Sequence, residues 1–128
     1  MISKEEVLMG RDTEFPLTLE LEDNLNKLLE VLNKFREAYG KAMTVSSGYR
    51  PGHYNTDAGG AKNSNHRFCR ACDFHDPDGA IDTFATECDK DGRLKAWGLW
   101  LESPAHTPGW CHLDIDDRGD RPSNTFIP

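Results

Sequence analysis

Ala71-Cys72-Asp73-Phe74-His75 and, later in the chain, Trp110-Cys111-His112-Leu113-Asp114-Ile115 are the stretches on which the fold turns. In an extended strand alternate side chains point to opposite faces. Cys72 and Phe74 in the first stretch, and Cys111, Leu113 and Ile115 in the second, form apolar sets suited to a buried face. Ala71, Asp73 and His75 take the other face, as do Trp110, His112 and Asp114. If the two strands are sheet neighbours, Asp73 and His112 converge there. His66, seven residues before Asp73 at the end of a glycine-rich loop, can fold back over them.

Upstream, residues 17–39 predict an amphipathic helix, because Leu21, Leu25, Leu28, Leu32, Phe35 and Tyr39 recur at spacings of three and four with charged residues between them. Pro16 and Thr18 mark its start, Glu20, Glu22 and Asp23 suit the positive end of its dipole, and Gly40 marks its stop. Its leucine stripe reads as a face packed on the domain's own core. Residues 42–46 read as a short strand, and 48–64 as a long loop without periodicity, of a length that is usually functional or mobile. Then come a strand at 70–74, a turn at 76–79, a short helix at 81–89, and strands at 98–102 and 110–115 around a 104–109 loop. A helix followed by strands predicts an α+β fold: a small, mostly antiparallel sheet with the N-terminal amphipathic helix packed on it. We expect one domain over residues 1–128.

Composition narrows the partners. Fifteen basic against 22 acidic residues give a net charge of −7, which argues against binding nucleic acid or an anionic surface through bulk charge. No apolar run approaches the length of a membrane span, and Met1-Ile2-Ser3-Lys4-Glu5-Glu6 lacks the hydrophobic region of a secretion signal. The expectation is a chain made in the cytosol, monomeric, acting elsewhere only if released. Reduced thiols are then the default for the four cysteines.

Two imidazoles and one carboxylate, His66, Asp73 and His112, make a sensible set for Zn²⁺ with a fourth position left to water. Such a site activates water and polarises a carbonyl, as peptide hydrolysis requires. Isolated histidines and aspartates on strands are also common as plain surface groups, and spacing alone does not separate the two.

Read together, the motifs are more specific. Ser46-Ser47-Gly48-Tyr49-Arg50, then Ser64-Asn65-His66 with Ala71-x-Asp73 after it, then Trp110-Cys111-His112-Leu113-Asp114 resemble the zinc D-Ala-D-Ala carboxypeptidases and the related phage and bacterial peptidoglycan endopeptidases. The likeness covers over half the chain, in the family's order. It implies a zinc metallopeptidase fold, Zn²⁺ held by His66, Asp73 and His112, peptidoglycan stem peptides as substrate, and Arg50 facing a substrate carboxylate, a task suited to a guanidinium fork.

Two positions depart from the family's pattern. Cys69 stands where the family has Gly, which alters a loop and removes no ligand. Gly109 stands where many members carry a general-base Glu, three residues before the last His. The nearest upstream acid is Glu102, in Leu101-Glu102-Ser103-Pro104-Ala105-His106, a string similar to the Glu-Ser-x-Ala-His of hedgehog signalling domains, which share the metallopeptidase fold. We expect Glu102 to be the base, against its reading as a solvated strand-end charge, and His106 either to bond the oxyanion or to lie exposed in its loop. The alternative to an enzyme is a zinc-holding binding or virion-structural domain without activity.

Other residues compete for roles. Cys69-Arg70-Ala71-Cys72, with Cys88 and Cys111, could be taken for a thiolate zinc site, but in a strand Cys69 and Cys72 point to opposite faces and no second CxxC exists. Cys72, Cys88 and Cys111 read as small buried thiols and Cys69 as exposed. His53 and Tyr54 could touch substrate or solvent, and His75 could support the site from Asp73's face. Asp114 could orient His112 through its second nitrogen. Asp116, Asp117, Arg118, Asp120 and Arg121 read as a solvated, partly self-paired tail.

Overall fold

The Thr18 hydroxyl accepts from Leu21 N (3.2 Å) at the start of the long helix, and Gly40 ends that helix in the left-handed region (φ 76°). The computed structural model describes residues 1–128, and there the helix, α2, spans Leu19–Tyr39. Its stripe of Leu25, Leu28, Leu32 and Phe35 is fully buried in the core that also takes Cys72, Phe74, Cys111 and Leu113 from the sheet. Burial of each such side chain stabilises the fold by about 1.5–3 kcal/mol.

The sheet has five strands: β1 (Val45–Ser47), β2 (Ala71–His75), β3 (Trp100–Glu102), β4 (Trp110–Asp114) and β5 (Thr125–Phe126). They lie in the order β1-β2-β4-β3-β5, antiparallel except for the β3/β5 pair. The remaining helices are α1 (Lys4–Leu8), α3 (His53–Asp57), α4 (Ala80–Lys90) and α5 (Arg93–Trp97), with 3-10 turns at Asn65–Phe68 and Pro104–His106. The fold is α+β with a mostly antiparallel sheet, as the sequence predicts.

Several local readings are corrected. Residues 48–64 are not structureless, since α3 lies within them. The first strand begins at Val45 rather than at residue 42. Helices α1 and α5 were not expected, and neither was β5. Cys69 is fully buried rather than exposed, in the left-handed region (φ 57°) that a glycine would occupy without strain. All four thiols are free, and burial pushes Cys69 up to about 12 and Cys72 and Cys111 well above their ordinary value. The thiols are therefore neutral, and no cysteine joins a group of potential metal ligands. That removes the thiolate zinc reading.

Candidate metal centre

Asp73 and His112 are direct cross-strand partners in β2 and β4. With the register Trp100↔Asp114 and Leu101↔Leu113, one further step brings Glu102 of β3 opposite His112. Asp73, His112 and Glu102 thus form one row across three adjacent strands, on the face away from buried Phe74, Cys111 and Leu101. The 3-10 turn at Asn65–Phe68 carries His66 over that row, its start fixed by the Ser64 hydroxyl, which accepts from His66 N (3.3 Å).

Each imidazole is oriented from behind. His66 Nδ1 donates to the Gly48 carbonyl at 2.9 Å, which leaves Nε2 facing Asp73 Oδ1 at 3.3 Å. His112 Nδ1 lies 2.7 Å from Asp73 Oδ1, and its Nε2 lies 2.8 Å from Asp114 Oδ2. One ligand atom from each of His66, Asp73 and His112 can be chosen so that all lie within 4.8 Å of one another. A tetrahedral Zn²⁺ with bonds of about 2.0–2.1 Å needs ligand atoms roughly 3.3 Å apart, so the spacing fits. The donor chemistry fits too. With Nδ1 donating to Gly48, a singly protonated His66 turns a lone pair toward a carboxylate oxygen, a repulsive contact that either a proton on Nε2 or a metal cation between them makes attractive. The partners of the outer ring nitrogens, a carbonyl and a carboxylate, are those usual behind metal-bound histidines.

The charges follow the same geometry. Burial alone would raise Asp73, but hydrogen bonds and charge from His112 and His66 outweigh it and hold its carboxyl well below the usual range. Burial alone would lower His112, but the Asp114 and Asp73 carboxylates outweigh it and raise the ring to about 9. Burial pushes half-buried Glu102 up, with Asp73 and Asp114 adding to the rise and His112 and His106 pulling against it.

A cavity of about 350 Å³ opens over this row, with Arg50, Glu102, Trp110 and Phe126 among its walls. Arg50 is held through its backbone, its N donating to His66 O (2.9 Å), while its buried side-chain Nε has no protein partner. Part of the rim, residues 58–61, is set by buried Asn55, whose Nδ2 donates to Ala61 O (2.8 Å) and whose carbonyl accepts from Gly60 N (2.9 Å). A Cβ on Gly60 would lie 2.1 Å from Asn55 Oδ1, so only glycine allows that approach.

Not every expected residue arrives at the site. His106 is exposed and does not line the cavity, although its charge reaches Glu102. His53 and Tyr54 point to Glu14 (3.3 and 3.2 Å) rather than into the cavity, and His75 is exposed. Asp114 does meet the second nitrogen of His112. Besides Cys69, sequence reasoning misplaced Arg118, which is not solvated but pairs with buried Asp114 and lines the cavity.

The chain matches the family model described as Peptidase M15 over residues 4–113. It belongs to peptidase family M15. That membership and the ligand group together support a metallopeptidase, hence a hydrolase. No curated protein and no solved structure matches the chain.

In this M15 chain Gly48 serves two neighbours. Its carbonyl orients His66, and its Cα packs against α1 so closely that a Cβ would lie 2.1 Å from Val7 O. Gly48→Ala is expected to cost about 1–3 kcal/mol of stability through overpacking. It should also weaken metal binding as His66 loses its anchor. Thermal melting and metal titration of the same variant check both effects.

Proposed function

We propose that the chain is a zinc-dependent peptidase that hydrolyses a peptide bond in bacterial peptidoglycan stem peptides. The observation that carries this reading is the convergence of three groups of different chemistry on one cavity: the His66, Asp73 and His112 ligand set, a half-buried carboxylate at Glu102, and a guanidinium at Arg50 with an unpartnered Nε.

His66, through Nε2, Asp73, and His112, through Nδ1, would hold Zn²⁺. When bound, the ion lowers the pKa of water and polarises the scissile carbonyl. Glu102, opposite His112, accepts a proton from the attacking water and returns it to the leaving amine, a role suited to a carboxyl whose affinity for protons is raised by burial. Arg50 grips a carboxylate of the peptide through its fork of donors. Asp114 keeps His112 in the tautomer with Nδ1 toward Asp73. His106, near Glu102 and exposed, is placed to meet the oxyanion only if substrate draws its turn inward.

A second reading, a zinc-holding domain without activity, is favoured by Gly109 at the position where many relatives carry the base. The deciding measurement is mass spectrometry of purified peptidoglycan fragments after incubation with the protein, with added Zn²⁺ and with chelator in parallel. New stem-peptide fragments that appear only with Zn²⁺ are expected, and their masses name the bond. Intact fragments alongside a folded protein that retains zinc would overturn the peptidase reading in favour of the binding one.

A further inference from the structure

We propose that Arg118 is a positioning residue for the metal centre: its guanidinium locks the Asp114 carboxylate that keeps His112 Nδ1 turned toward His66 and Asp73. The inference rests on the metal-site reading above. Arg118 lies beyond residue 113, where the family match ends.

Asp114 is fully buried, and a buried carboxylate is tolerated only when its oxygens are paired. Oδ1 accepts from Arg118 Nη1 (2.7 Å) and from Asp116 N (3.1 Å). Oδ2 accepts from Arg118 Nη2 (3.1 Å) and faces His112 Nε2 (2.8 Å). Arg118 therefore grips both oxygens at once, and the carboxylate cannot turn. A fixed acceptor behind Nε2 keeps the ring hydrogen there and leaves the Nδ1 lone pair to the ligand cluster. A lysine, a single point charge, cannot hold both oxygens in one plane.

Arg118 is itself fixed. Its Cζ sits 3.6 Å from the centroid of the Phe126 ring, and Nη1 also donates to Asp116 O (3.0 Å). Phe126 in turn meets His112 edge-on, with centroids 5.9 Å apart. The strand that carries Phe126 is tied down by Asp89, which accepts from Ser123 Oγ (2.5 Å), Asn124 N (2.7 Å) and Thr125 Oγ1 (2.8 Å). The C-terminal segment thus braces one zinc ligand from behind while walling the cavity.

The test is Zn²⁺ affinity, by competition with a chromophoric chelator, in wild type, Arg118→Gln and Arg118→Lys, together with metal-free melting and the ring-nitrogen NMR signals of His112. Arg118→Gln should bind Zn²⁺ about 10–100-fold more weakly, the usual cost of losing an outer partner. Arg118→Lys should lose less, and in both variants the Nε2–H signal of zinc-loaded His112 should shift as its hydrogen bond to Asp114 loosens. A general loss of stability would lower melting without moving those signals. Wild-type affinity together with unmoved His112 signals in Arg118→Lys overturns the proposal even if Arg118→Gln does not fold. Failure of the wild-type protein to bind Zn²⁺ would instead remove the metal site itself, and this inference with it.

Discussion

Glu102→Gln is expected to lose about 100- to 10,000-fold in turnover of peptidoglycan fragments, the range for removing a general acid–base group, while Zn²⁺ content and melting stay near wild type. Gln matches Glu in shape and can hold the same place beside His112, but it cannot take up a proton. The wild-type enzyme should also show an acid limb in its pH–rate profile above the ordinary Glu value of 4.5, because burial raises the group and the base works only when ionised. Activity therefore falls as pH drops through the raised value. Metal content, turnover and the pH profile of the two proteins check this together, and unchanged turnover in Glu102→Gln would remove Glu102 from the mechanism.

His112→Ala should remove metal binding and activity together, losing more than the roughly 100-fold that an outer partner costs. Below about 9, metal binding must displace a proton from His112, so Zn²⁺ affinity in the wild-type protein should fall about tenfold per pH unit of acidification. The metal-free protein shows the opposite sign. A folded-state pKa raised from 6.5 to about 9 gives stability that is complete below 6.5 and lost as pH rises through 9. Asp73 and Asp114, held low, give stability that is lost on acidification below the ordinary Asp value of 3.8. Calorimetric titration with Zn²⁺ and melting curves of chelated protein across this range measure both trends. A pH-independent affinity across this range would show that metal binding displaces no proton from His112.

The elements with strong periodicity were legible in the sequence: α2 from its leucine stripe and Thr18 cap, β2 and β4 from their alternation. Because alternation also assigns faces, the cross-strand meeting of Asp73 and His112 was legible with them. What escaped had short-range signals that were weak or passed over. The box Ser3-x-x-Glu6 announces α1, and both of its reciprocal bonds form, yet five residues of helix show no period. Gly92 and Gly98, both left-handed, bracket α5. Strand β5 pairs only at its few residues with β3, a long-range event with no local pattern. Arg118 was misplaced for the same reason, since a lone charge in an acidic tail looks solvated until the buried carboxylate it serves is located. The Glu102 position depended on a strand register that alternation suggests and only pairing fixes.

The row Asp73, His112 and Glu102 makes one arithmetic condition out of two strand pairings. Slipping β4 by a single residue against its neighbours would turn His112 to the apolar face and replace it with a thiol or a leucine. A chain misaligned in that way would lack one of the three ligand groups, so a bound ion would add stability to the correct alignment alone.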